Sequence, residues 1–337
     1  MGKTFLSFVL LAFFVLVGAQ SARAVYLFKI GSLAPAGSVW DRYFHDFAKE
    51  VAKKTNGEVK FRVYAGGVMG DDRAMYRKMR IGQLQGGGFT MTGLSEIVPD
   101  FRVMGIPFLF THYDQVDRVM KGLMPRFKAE CEGKGLVLLA TTEVGFIYTM
   151  SAEPVDSIAS LRKSKAWAPE NDPVSLAYLK NIGVTPVPLS IPDVLPSLQT
   201  GLVDTVFNSY YGAIVLQWFT STKYITDIPF GYAYGGLVLS KKAFDRLPGP
   251  LAEACISAAD HHFSRLVAES RKSNAEALAT LKKQGLTVVT PRPGEADELN
   301  RQRDRLVKEI NGTYFSREIY QEAMAALAGD EKQAGKR

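Results

Sequence analysis

Reactive and metal-binding side chains are scarce in this sequence, with two cysteines and four histidines in 337 residues. Two cysteines exclude a small fold held by a disulfide framework, and a chain of this length buries enough core to need neither disulfides nor metal. Cys131 and Cys255 each fall in a helical pattern and read as two buried small hydrophobes rather than a bridge. No G-x-S-x-G elbow, P-loop, H-E-x-x-H, CxxC or EF-hand loop occurs. The histidines are His45, His112, His261 and His262. Since neighbours on a helix point about 100° apart, the adjacent pair is not expected to place both rings on one face, and all four read as surface or helix-end residues. Asp71-Asp72 reads as a helix start, not as paired acid–base carboxylates. These absences point away from an enzyme and imply neither cofactor nor metal.

Charge of one sign is never concentrated. Lysine plus arginine number 41 against 34 acids, a formal +7, but the basic residues are interleaved with acids along the whole chain. Without a basic stripe or an RNA-type aromatic motif, nucleic acid is not an expected partner. Long apolar runs are missing too, so a polytopic membrane protein is excluded. The longest run, Phe5 to Val17, is short for a bilayer, follows Lys3 and precedes Ala22-Arg23-Ala24. That is the layout of an export signal over 1–24, cleaved after Ala24, with an uncleaved anchor drawing on Gly18 and Ala19 as the alternative. The expected location is the periplasm. Two of the seven net charges, Lys3 and Arg23, leave with the signal, and the polar end, 331–337, reads as a frayed tail.

From Val25 onward strand-like and helix-like runs alternate, the pattern of an α/β protein. Val25 to Ser32 reads as a strand, Ser38 as the cap of a helix to about Lys54, Val59 to Tyr64 as a second strand, and Asp71-Asp72 as the opening of a basic helix. Gly86 to Thr92 reads as a third strand whose glycines fit a bulge or a close approach. A helix over Tyr113 to Cys131, a strand over Leu136 to Thr141, and a second unit from Gly145 to Asn208 follow. Ile225 to Leu239 precedes the longest helical pattern, which starts at Pro250, stops before Gly285 and would span about 50 Å. Its expected apolar stripe is Ile256, Phe263, Leu266, Val267, Ala277, Leu278 and Leu281.

Aromatic residues are plentiful at loop-like and strand-end positions, among them Trp40, Phe89, Tyr148, Trp167, Tyr211 and Tyr234. Each alone is ordinary core; as a set they fit the lining of a cleft. An exported α/β chain of two-domain length without catalytic groups has the profile of a solute-binding protein that closes on its ligand.

Several segments, in order, resemble the extracytoplasmic solute-binding subunits of TRAP transporters: Phe47-Ala-Lys-Glu-Val, Asn56-Gly-Glu-Val, Gly66-Gly-Val-Met-Gly-Asp-Asp-Arg-Ala-Met75, Gly105-Ile-Pro-Phe-Leu-Phe110, Gly183-Val-Thr-Pro-Val-Pro188 and Leu198-Gln-Thr-Gly-Leu-Val-Asp204. The resemblance runs from about Tyr26 to about Ile319. It implies a periplasmic-binding-protein-like α/β fold with crossing strands as hinge and a long shared helix. The expected division is 25–144 with 234–272, and 145–233 with 273–330. It also implies TRAP permease subunits as partners. In this family an arginine in a Lys-x-Arg-x-Pro stretch forks onto the ligand carboxylate; here the stretch is Lys165-Ala-Trp-Ala-Pro169, so Trp167 stands at that position. A second basic position falls at Ile147, while Asn208, the family's polar contact, is kept. The expected ligand is therefore uncharged, apolar or aromatic, stacked on Trp167, flanked by Ile147 and Tyr148 and read by Asn208 and Tyr211, with Phe89, Trp40 and Tyr234 completing the cleft. A cation held near Glu170 is the second expectation, and Arg162, Lys163 or Lys165 restoring carboxylate binding the third. A sensor for a membrane kinase, or a carrier passing a hydrophobe to a periplasmic helical-repeat partner, would use the same cleft.

Overall fold

The computed structural model describes residues 25–328. The expected signal over 1–24 and the tail 331–337 lie outside the described residues. Within them no helix is long and apolar enough to cross a membrane.

Strands and helices alternate as the sequence pattern requires. The first unit contains β1 (Tyr26–Ser32), α1 (Val39–Lys54), β2 (Val59–Tyr64), α2 (Asp72–Arg80), β3 (Gly86–Thr90), α3 (Met91–Ile97) and α4 (Tyr113–Gly133). Then come β4 (Leu136–Ser151), α5 (Ile158–Leu161), β5 (Trp167–Pro169), α6 (Pro173–Asn181), β6 (Val187–Leu189), α7 (Ile191–Thr200), β7 (Thr205–Asn208) and α8 (Tyr210–Val215). The chain ends with β8 (Tyr224–Ser240), α9 (Lys241–Phe244), α10 (Gly249–Lys283), β9 (Thr287–Val289), α11 (Glu295–Ile310) and α12 (Arg317–Ala328). Helix starts follow short polar side chains: Ser38 accepts from Asp41 N, Asp71 from Ala74 N, Thr90 from Gly93 N and Ser209 from Gly212 N.

The main sheet runs β2-β1-β3-β8-β4-β7, with β9 beside β8. Its spine is the antiparallel pair β4 and β8, in register from Leu136 opposite Ser240 to Ser151 opposite Tyr224. β3, β1 and β2 extend one end of that ribbon; β7 and β9 extend the other, and a bridge between Ala166 and Thr205 brings in the parallel pair β5 and β6. The strand expected over Leu136 to Thr141 is thus only the first part of β4. The pairing survives through irregularities that include Glu143/Gly145, where Gly145 takes φ +104, a conformation open to glycine.

The glycines of β3 have a packing cause and no bulge: β3 pairs continuously with β8 from Gly86–Leu239 to Thr90–Gly235. A Cβ on Gly88 would strike the Phe44 ring at 2.5 Å. One apolar core lies under α1 and α10, around Phe28, Phe44, Phe47, Phe263 and Leu266. A larger one continues through Phe101, Phe127, Tyr178, Trp218 and Phe230.

The long helix expected after Pro250 is α10, 35 residues packed on α1, β4 and α8. Its buried stripe is Cys255, Ala258, Ala259, His262, Phe263, Leu266, Ser270, Asn274, Ala277 and Leu281. Ile256, expected in that stripe, is 42% exposed, because small residues at 255, 258 and 259 let α10 sit close to its neighbours and turn 256 outward. Both cysteines are free and buried, and burial pushes each thiol up to about 12.

Candidate ligand-binding cleft

Between the two ends of the β4–β8 ribbon lies a cavity of about 190 Å³. Its walls come from the β1–α1 turn, the end of β3, the middle of β4 and β8, β5, the start of α6 and the β7–α8 junction. Of the nine expected site residues, Trp40, Phe89, Ile147, Trp167, Asn208 and Tyr234 line it.

The other three stand elsewhere. Tyr148 pairs across the ladder with Asn208 but is not in the lining; its ring is stacked on Tyr210, centroids 4.1 Å apart. Tyr211 lies behind Trp40, ring to ring at 5.2 Å, and its hydroxyl accepts the Val39 N–H at 2.9 Å, at the first turn of α1. Glu170 is exposed in a shallow neighbouring cleft, with Asp71, Asp72, Arg73 and Glu96 on the facing rim. Arg73 there pairs with Glu96 at 2.5 Å.

Four aromatic side chains of the wall have their polar tips already engaged by protein. Trp167 Nε1 donates to Leu189 O at 3.0 Å, and Trp40 Nε1 to Glu143 O at 2.8 Å. The Tyr232 hydroxyl donates to Glu143 Oε2 at 3.0 Å and that of Tyr234 to Phe101 O at 2.8 Å. What they offer the cavity is ring surface. Trp167 is further fixed edge-on to Trp218, centroids 5.2 Å apart. Trp218, Phe44 and Phe230 also line the cavity and carry no motif that would have singled them out in the sequence.

No lysine, arginine or histidine lines this cavity among the described residues. Arg162 Nε donates to Ile182 O and Lys165 Nζ to Gly201 O, while Lys163 is exposed, so none of the three supplies a cation to the lining. The one carboxylate in the wall is Asp172. It caps α6, accepting from Val174 N at 3.1 Å, Ser175 N at 3.3 Å and Ser175 Oγ. Burial outweighs these bonds and raises its pKa. The Asn208 Oδ1 accepts Ser209 N at 2.8 Å, which leaves the amide N–H pair as its donors.

On the other side of the ribbon, Glu143 is 1% exposed and bonded to Tyr232 and Arg271. Arg271 forks onto Asp117 as well, at 2.9 and 2.5 Å, and lies 4.3 Å over the Tyr113 ring. Asn274 Nδ2 donates to Val144 O at 2.8 Å and its Oδ1 accepts Tyr211 N at 3.0 Å. Together these groups tie α10 and α4 to the irregular stretch of β4.

This architecture is matched by known proteins. The family description "Bacterial extracellular solute-binding protein, family 7" (DctP) covers residues 30–313. The chain is 28% identical over 278 residues to the 2,3-diketo-L-gulonate-binding periplasmic protein YiaO of Escherichia coli K12, 79% of this chain and 82% of that one. Its fold superposes with a TM-score of 0.86 on the sugar acid binding protein DctPAm of Advenella mimigardefordensis in complex with galactonate, at 21% identity over 91% of this chain and 99% of that one. A TRAP periplasmic solute-binding protein of Polaromonas bound to D-erythronate gives 0.82 at 24% identity, over 90% and 98%. The chain belongs to the DctP family, the extracytoplasmic solute-binding proteins of TRAP transport, which bind small molecules and work with membrane permeases.

Proposed function

We propose that this protein, exported and cleaved after Ala24, captures an uncharged apolar or aromatic small molecule in the cavity described above and delivers it to a TRAP permease. The observation that carries the reading is a wall in which aromatic ring faces with engaged polar tips stand beside neutral polar groups, with no cationic side chain and one carboxylate among the described residues. The relatives named above take sugar acids, and an anion in a dry cleft without a cation would be buried unpaired. Losing one partner of such a buried charge pair costs on the order of 2–5 kcal/mol, whereas stacking on an indole supplies roughly 0.5–1.5 kcal/mol beyond area burial. Trp167 is the stacking platform, Ile147 and Phe89 flank the ligand, and the amide donors of Asn208 read a single polar group.

Capture proceeds by closure. The segments 25–144 with 234–272 and 145–233 with 273–310 move as two units, α12 travels with the first through its packing on α4 and the Glu322–Arg126 pair, and β4 near Val144–Gly145 and β8 near Tyr232 bend between them. Contacts made to both units at once favour the closed form. The Tyr211–Val39 bond joins α8 of the second unit to α1 of the first and acts as a latch on that form.

A second reading, a cation boxed by aromatic faces, gains support from Asp172 in the wall rather than from Glu170. Native mass spectrometry of the purified chain tests both. An uncharged copurifying mass fits the first reading, a quaternary or primary amine replaces it with the second, and a sugar acid overturns both.

A further inference from the structure

We propose that Glu50, His261 and His262 form a surface site for a borderline divalent metal ion such as Zn²⁺, remote from the ligand cleft and joining α1 to α10. The sequence expectation that vicinal histidines diverge is not met here. His261 presents its near nitrogen, Nδ1, at 2.9 Å from Glu50 Oε2, and His262 its far nitrogen, Nε2, at 2.7 Å from the same oxygen. The difference in reach offsets the turn between neighbours, and the three donor atoms lie within 4.8 Å of one another. Two imidazole nitrogens and a carboxylate oxygen are a donor set suited to Zn²⁺, with water completing a tetrahedron.

The frame is partly preorganised. His262 is 8% exposed, packed edge-on to Tyr43, so it loses little freedom on binding. His261 is half exposed and opens the site to solvent. Donor spacings around a tetrahedral ion with bonds of about 2.0–2.1 Å are about 3.4 Å, so Glu50 must withdraw by about half an ångström, within reach of a side-chain adjustment. Lys54 opposes the ion: its Nζ lies 2.8 Å from Glu50 Oε1 and also donates to Ser257. It engages the other carboxylate oxygen and leaves Oε2 to the histidines. Lys49, Lys53 and Asp46 border the same open groove.

Isothermal titration of the intact protein with ZnCl2 in a non-chelating buffer tests the site. One equivalent is expected to bind, with the dissociation constant rising about tenfold or more in His262→Ala, in Glu50→Gln and in His261→Ala. The last removes an exposed ring and leaves the fold intact. Lys54→Gln is expected to tighten binding by removing the competing cation. No saturable binding by the intact protein, or unchanged affinity in the folded His261→Ala variant, would overturn the proposal.

Discussion

Trp167 carries two separable roles, a face toward the cavity and an N–H held by Leu189. Trp167→Phe keeps a ring and removes the bond, and is expected to lower stability by about 1 kcal/mol. Trp167→Ala also opens a void beside Trp218 and is expected to cost about 3–5 kcal/mol; urea unfolding of both variants checks the difference. Asp72 is a second residue with a measurable signature. It accepts from Thr90 N at 3.1 Å and from Thr90 Oγ1 at 2.6 Å, and burial pushes its carboxyl up to about 6 from 3.8. Folding therefore favours its protonated form, so its contribution to stability is full below about pH 4 and is lost as pH rises through about 6. Relative to Asp72→Asn, the wild-type chain should lose on the order of 3 kcal/mol across that window and nothing further above it. Chemical unfolding at pH 4, 5, 6 and 7 reads this directly. The resemblance singles out Trp167, Ile147 and Asn208, and all three line the cavity. Tyr148 stays out of the lining because its ring is taken up by Tyr210, a contact between β4 and α8 that no local sequence pattern announces. Asp172 carries no signal of a site in the sequence, since Asp before Pro173 reads as an ordinary cap, which it also is.

At the scale of elements, the irregular middle of β4 is held by one buried carboxylate. Glu143 faces Arg271 of α10 and Tyr232 of β8, with burial the main influence raising its pKa and Arg271 the main influence opposing it. Arg271→Met leaves that carboxylate uncompensated and is expected to cost on the order of 3 kcal/mol. Adding Glu143→Gln should restore part of the loss, so thermal or urea unfolding of the two single variants and the double variant should show strong coupling. Tyr211→Phe removes the Val39 contact and should shift the chain toward an open form. The radius of gyration of ligand-free and ligand-bound samples by small-angle scattering should then differ more than in wild type. Helices with a polar cap and a clear period, such as α1 and α2, are legible from sequence, and α10 is legible from its length between Pro250 and Gly285. The continuation of β4 is not, because its pairing is set by β8 across some ninety residues and runs through Gly145. Nor are the short α3 and α8, which sit where the sequence pattern reads as strand or loop.

For the whole molecule, the dispersed excess of basic charge tells less than the absence of cations, among the described residues, from one cavity. The fold is that of proteins named for sugar acids, while the walls here are aromatic and their polar tips are committed. In the function proposed above, Trp167 exchanges carboxylate recognition for stacking. Titration calorimetry of wild type and Trp167→Arg against galactonate, D-erythronate and an uncharged aromatic set decides this. Wild type is expected to bind no sugar acid and to take an uncharged aromatic compound, with that affinity falling at least tenfold in Trp167→Arg. Tight binding of galactonate or D-erythronate by the wild-type protein would contradict it.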